Sequence, residues 1–291
     1  MFKALIFSSL VLNLGLFIGR LSGFAREAFI ASTYGATAEA DIVVLMLTVP
    51  DLLVNILMGG ALGAVLVPEF SQNQEKARQL LYQSLLFFGV LFLGISVVLY
   101  FQSDILVSLL VPGFGDHQAQ QAAVALGWVI WLLPLTILAG VVTAYLHAQN
   151  RFAIAAFGTL IINCTIIAGL LLVYFGYGSL YLVALFVLLG GMLRLASQLL
   201  WVRLMWAPFS SLFPFYLNRS LMVRYGQAMM SGSVLLLFPV VARAIASYQG
   251  EGSVSLFNYA ARLVEFPLAI AVTFLAAVFF PRLSATFADD S

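Results

Sequence analysis

Arg20 and Arg26 stand six residues apart in GRLSGFARE (Gly19–Glu27), inside the first apolar stretch of the chain. An arginine near the middle of a bilayer helix costs roughly 2.5–3.5 kcal/mol on insertion scales, so it must face a partner or a wet cavity. At about 100° per residue the two side chains point about 120° apart, and a bend at Gly19 or Gly23 would let both flank one cavity. The chemistry on offer is charge-assisted, bidentate binding of an oxyanion within the membrane. The plainer alternative for Arg26 is a salt bridge to Glu27, Glu39 or Asp41, or a side chain that snorkels outward.

Other charges fall in apolar stretches too. Arg262 and Glu265 are three apart, close enough on one helix face to pair with each other or to work together at a cavity. Arg194 has Gln198 one turn on and reads as paired with backbone or a neighbouring helix. Asp41 opens the second stretch, where a carboxylate is favourable at a helix N-terminus and is also placed for gating or ion coupling. Asp51 and Asn55 follow Pro50, whose break in the hydrogen-bond ladder gives them a structural task first. His117 and His147 have no second ligand at metal spacing, so no metal site is expected. Neither a phosphate loop nor a hydrolase or metalloprotease motif is present, so no enzyme and no catalytic residue is indicated.

The elements that carry these residues are apolar helices. Of 291 residues, 63% are hydrophobic and 9% charged, against about 25% charged in a soluble domain, and mean hydropathy is +1.07. The net charge of +1 leaves no global field for nucleic acid. The single cysteine, Cys164, excludes an intrachain disulfide and reads as a packing residue. Crossing the hydrocarbon takes about 20 apolar residues. Eight stretches qualify: 4–32, 40–66, 79–101, 121–147, 154–175, 180–202, 222–247 and 254–280. The first resembles a signal peptide, but the charges at 20–27 and the resumed apolar run from Ala28 favour an uncleaved helix. With the N-terminus inside, the inner segments hold Lys3, Lys76, Arg78, Arg151, Arg203, Arg219, Arg224 and Arg282. The outer loops hold Glu39, Asp104, Asp116, His117 and Glu251. That asymmetry sets both termini inside. Trp128, Trp131, Trp201 and Trp206 fit interfacial anchors or core positions.

The first and seventh stretches look alike. Ala25-Arg26, Ile30-Ala31-Ser32 and Tyr34-Gly35 match Ala242-Arg243, Ile245-Ala246-Ser247, Tyr248 and Gly250. Arg26 to Pro50 and Arg243 to Pro267 are both 24 positions. Both units start inside, so the expected architecture is an all-α polytopic membrane protein of about eight spans, a parallel two-lobe repeat with its second lobe truncated. The divisions are a six-helix lobe at 1–205, a cytoplasmic linker at 206–221 and the first two helices of the second lobe at 222–291. Arg243 becomes the repeat mate of Arg26, the two converging on an axis between lobes.

GRLSGFARE, GATAEAD (Gly35–Asp41), VPDLL (Val49–Leu53), VPGFGD (Val111–Asp116), QNRF (Gln149–Phe152) and GSVSLFNYAARLVEFP (Gly252–Pro267) resemble the MurJ/MviN family, over the whole chain and in order. That family belongs to a superfamily of polysaccharide-lipid and multidrug exporters. The resemblance implies a multi-pass protein of the bacterial cytoplasmic membrane that flips lipid II, the undecaprenyl-pyrophosphate-linked peptidoglycan precursor, by alternating access. Arg20, Arg26 and Arg262, with Arg243 added from the repeat, become substrate-binding residues; Asp41 and Glu265 become gating or ion-coupling residues. No cofactor is implied; membrane potential or a cation gradient would drive the cycle. The partners implied are the lipid-linked substrate and membrane lipids, with cell-wall synthesis proteins as further candidates. The chain departs from the family pattern in two ways. Val54, Asn55 and Gly59 stand where members carry a basic pair and an acid, and Arg194 and Arg243 stand where members are uncharged. It also ends after the eighth stretch, where members continue. The alternatives are a flippase for an undecaprenyl-pyrophosphate-linked exopolysaccharide or O-antigen intermediate, and a truncated non-transporting remnant. A multidrug exporter would be better served by an acidic cavity.

Overall fold

The computed structural model describes residues 2–58, 61–72, 74–202, 216–217, 219–233, 237–268 and 271. All regular structure among them is helical. The helices are α1 (Phe2–Tyr34), α2 (Ala38–Met58), α3 (Ala61–Gln72), α4 (Gln74–Phe101), α5 (Ser103–Leu110) and α6 (Asp116–Val129). Then come α7 (Leu132–Ala148), α8 (Phe152–Tyr174), α9 (Leu180–Val202), α10 (Arg219–Ser233) and α11 (Leu237–Ser247), followed by α12 at 253–268. Lys76–Phe101, Asp116–Ala148, Phe152–Tyr174 and Leu180–Val202 are long and apolar enough to cross a membrane.

Local chemistry sets the boundaries. Helix α1 stops at Gly35, whose φ of 61° suits a residue without Cβ, and its N–H closes on the Ala31 carbonyl. Thr37 starts α2 by accepting the Ala40 N–H on its hydroxyl. The stretch at 121–147 is one span in two pieces, because Pro134 has no N–H to give the Ile130 carbonyl. That oxygen takes the Leu133 N–H at 3.0 Å and the Ser96 hydroxyl at 3.3 Å instead. Helix α5 is a difference from the sequence reading, which has no helix of its own at 103–110; SDILVSLL is too short to register as a span.

Two buried clusters hold the bundle. One packs Ile42–Val49 of α2 against α6 and α9. The other joins α3, α4 and α7 to Leu217 and Leu221. Around them α4 leaves Leu86, Val90, Leu93 and Val97 exposed, the outward face of a helix solvated by lipid. Cys164 is exposed rather than packed; an apolar run in a membrane helix does not tell inward from outward positions. Most of 206–221, the last part of the stretch at 254–280, and Arg203 and Arg282 lie outside the described residues.

The two ends of the bundle differ in charge. The turns at 35–37, 111–115 and 248–252 gather at one end, near Glu39, Asp116 and Glu251. Lys76, Arg219 and Arg224 mark the other.

Candidate anion-binding cavity

Helix α1 lies on α8 along a row of glycines. Gly15, Gly19 and Gly23 face Ala156, Thr159 and Asn163 in turn, so the two helices run parallel. A Cβ at Gly15 would stand 2.5 Å from the Ala156 Cβ. Small residues four apart allow this close approach, which matters where lipid gives helices no hydrophobic drive to associate. The approach puts Arg20 and Arg26 at the wall of a cavity of about 390 Å³. Helix α2 adds Asp51, α7 adds Thr136, α8 adds Thr159 and Asn163, α9 adds Arg194, and α12 adds Arg262, Glu265 and Phe266.

A connected polar network holds one side of this cavity. Arg26 donates through Nη1 to Asn163 Oδ1 at 3.3 Å and through Nη2 to Glu27 Oε1 at 2.8 Å. Asn163 donates in turn to the Ser22 hydroxyl at 2.9 Å. Glu27 is buried and accepts Asn258 Nδ2 at 3.0 Å from α12. Arg262 Nε lies 4.0 Å from Glu27 Oε1, and Arg262 Nη1 donates to Glu265 Oε2 at 2.9 Å. Arg26 and Arg262 are therefore oriented from both sides, with Glu27 as the hub between α1 and α12. Phe24 and Phe266 stack beside them, ring centroids 4.4 Å apart, and close the seam between the same helices.

At the acid-rich end Asp41 is fully buried and caps α12. It accepts the Gly252 N–H at 2.8 Å and the Ser255 N–H at 2.7 Å, one on each carboxylate oxygen. Nearby, the Gly113 N–H reaches the Ser247 hydroxyl at 2.9 Å and Tyr259 donates to the Gly35 carbonyl at 3.0 Å. Both glycines are needed: a Cβ at Gly113 would run into the Ser247 backbone, and one at Gly252 into the Ala36 carbonyl. At the basic end Glu69 of α3 binds Arg224 of α10 at 2.8 Å and Lys76 at 3.5 Å. Gln83 accepts the N–H groups of Tyr216 and Leu217. The hydrogen bond from Arg224 holds the Glu69 carboxyl below its ordinary 4.5, helped by Lys76 and opposed by partial burial.

The structure thus brings Arg20, Arg26, Arg262 and Glu265 to one cavity and sets Asp41 apart at the acid-rich end. Arg243 does not line the cavity. It faces a narrow crevice with Thr48, Leu52 and Leu110, although it feels the charges of Arg262, Glu265 and Glu27. Arg194 and Asp51 do line it, where the sequence pointed first to structural tasks. Glu27, Asn163 and Asn258 join this network without having stood out as site residues in the sequence. Glu27 beside Arg26 is a visible signal, but Asn163 and Asn258 are lone amides whose partners come from distant helices. A larger groove of about 910 Å³, lined by Tyr100, Trp128 and Trp131, lies away from these charges, with Asp104 the ionisable carboxylate at its wall.

The family model described as Lipid II flippase MurJ matches residues 30–291. A Burkholderia cenocepacia protein named Lipid II flippase MurJ is 27% identical over 290 residues, covering 94% of this chain and 55% of that protein. A probable lipid II flippase MurJ of Aquifex aeolicus is 28% identical over 273 residues, covering 90% and 53%. A solved lipid II flippase MurJ in an inward closed conformation superposes with a TM-score of 0.74 at 21% identity, over 89% of this chain and 55% of that one. An outward-facing multidrug resistance MATE transporter of the MOP superfamily gives 0.72 at 15% identity, over 93% and 62%. The chain spans about half the length of the curated relatives it matches.

Proposed function

This chain belongs to the MurJ family, a multi-pass membrane family and not one of enzymes, and from that premise we propose that it serves a flippase carrying lipid II outward across the bacterial cytoplasmic membrane for cell-wall synthesis. The observation that carries the reading is the arginine-lined cavity itself: Arg20 and Arg26 of α1 and Arg262 of α12 come to one space between apolar elements. A diphosphate crossing a membrane needs charge-assisted donors in place of water, and guanidinium groups give bidentate ones.

Helices α1–α9 act as one lobe, and α10–α12 open a second. Arg20, Arg26 and Arg262 hold the pyrophosphate while the prenyl chain stays in lipid. Glu27 and Glu265 hold the guanidinium groups in position and lower the cost of keeping cations in the empty cavity. Asp41 is a gate residue: its two bonds to α12 keep the outer end shut and must break before the head group can leave. The Phe24–Phe266 stack closes the side through which a lipid-linked head would enter. An inside-negative potential favours outward movement of an anion by about 2.3 kcal/mol per charge per 100 mV.

The second reading is a flippase for another undecaprenyl-pyrophosphate-linked glycan. Val54 and Asn55 in place of a basic pair, with Arg194 and Asp51 in the cavity, favour it by moving charge to a different wall. Complementation separates the two. The complete reading frame is expressed in cells depleted of their own lipid II flippase, and separately in cells lacking an exopolysaccharide flippase. Growth rescue in the first supports the lipid II reading. Rescue only in the second assigns the other glycan.

A further inference from the structure

Arg194 is built into the cavity differently from the arginines of α1 and α12. Arg26 and Arg262 each donate to a carboxylate at under 3 Å. Arg194 shares with Arg26 and Arg243 a buried Nε that has no hydrogen-bond partner, but among the described residues it has no carboxylate within 4 Å; the acid that α2 brings to the same cavity is Asp51. A membrane helix does not keep such a group cheaply.

The neighbouring helix makes room for it. Gly158 of α8 sits where a Cβ would stand 2.9 Å from Gln198 Nε2, 3.1 Å from Arg194 Cγ and 3.4 Å from Arg194 Nε. Any other residue there would crowd the side chain. Thr159, the next residue of α8, and Thr136 of α7 line the same cavity. Arg194 meets α8 at a different level from Arg26. Gly158 and Thr159 precede Asn163, the residue that holds Arg26, by five and four positions, about 6–7.5 Å along the axis.

We propose that Arg194, Thr136 and Thr159 form a second oxyanion subsite, which takes a carboxylate or phosphate of the translocated head group other than the pyrophosphate held at Arg26 and Arg262. The inference rests on the flippase reading. Before the head group enters, Asp51 lies among the charges of Arg26, Arg262 and Arg194. When the head group enters, its oxyanion takes the open donors, the two threonine hydroxyls complete its shell, and Asp51 is left to Arg26 and Arg262, whose charges also reach it. The subsite discriminates between head groups, whereas the first cluster binds what all undecaprenyl pyrophosphates share.

The test measures binding of two ligands to the complete protein in lipid nanodiscs: lipid II, and undecaprenyl pyrophosphate without a head group. Arg194→Gln should weaken lipid II binding tenfold or more and leave undecaprenyl pyrophosphate within twofold of wild type. Arg26→Gln should weaken both. Arg194→Lys should recover part of the lipid II binding by restoring charge without the fork. The double variant Arg194→Gln/Asp51→Asn, which leaves the net charge of the cavity as in wild type, should show the same selective loss and so separates binding from misfolding. Equal weakening of both ligands by Arg194→Gln, or of neither, overturns the subsite while the flippase reading stands. If wild type binds neither ligand, the flippase reading falls and the subsite with it.

Discussion

Asp41 shows what one side chain does when it bridges two helices. Its carboxylate takes two backbone N–H groups at the start of α12, where the helix end carries partial positive charge. Hydrogen bonds to a charged group are worth about 1.5–3 kcal/mol each. Asp41→Asn keeps the shape, loses the charge and turns one acceptor into a donor facing an N–H. We expect it to shift the outer end toward opening by roughly ten- to a hundredfold in population. The readout is labelling of a cysteine at Ser255, fully buried in the closed state, by an impermeant maleimide added outside. Faster labelling in Asp41→Asn is expected; an unchanged rate removes Asp41 from the gate. At this scale the sequence was informative about charge and poor about partners. Arg20, Arg26, Arg262 and Glu265 stood out because ionisable groups in apolar helices are costly. Asn163 and Asn258 did not, because a lone amide gains meaning only from the distant residue it meets. Arg194 and Asp51 pointed elsewhere because Gln198 and Pro50 offered nearer explanations.

Elements place these residues by how closely they approach. The α1–α8 contact depends on Gly15 having no side chain, and Gly15→Val should cost about 1–3 kcal/mol by overpacking. It should lower the thermal midpoint of the purified protein; an unchanged midpoint would mean that the helices do not meet there. Gly252 combines a φ of 83° with a Cβ path into the Ala36 carbonyl. Gly252→Ala should therefore open the outer end as Asp41→Asn does, in the same labelling assay. The α3–α10 contact at the basic end carries a pH dependence. Glu69 is depressed by its bond to Arg224, so its contribution is present above the ordinary carboxylate range and is lost as pH falls through the depressed value. Hydrogen exchange in α10, corrected for intrinsic rates, should rise between about pH 6 and pH 3 in wild type. In Glu69→Gln it should be raised already at the upper pH. The spans were largely legible from apolar length and breakers. Helix α5 and the break at Ile130–Trp131 were not, since one is too short to read as a span and the other depends on Ser96 supplying a bond from another helix.

At the scale of the whole molecule, contacts join the described helices at both ends of the bundle and beside the charged cavity: Asp41 and Gly113 at one end, Glu69 and Arg224 at the other, and the Phe24–Phe266 stack at the side. Under the flippase reading these contacts open in turn. The flippase reading makes the cycle electrogenic, so collapsing an inside-negative potential should slow outward appearance of substrate. The central claim is that the arginines of this cavity carry the lipid pyrophosphate. Its most direct test is the fraction of lipid II exposed on the outer face of cells that rely on the complete reading frame, read by cleavage with an externally added lipid II-degrading enzyme. With charge-assisted bonds at about 1.5–3 kcal/mol, Arg26→Ala and Arg262→Ala should each reduce that fraction by roughly tenfold or more at wild-type protein levels, and Arg26→Lys by less. Exposure equal to wild type in Arg26→Ala would contradict the account.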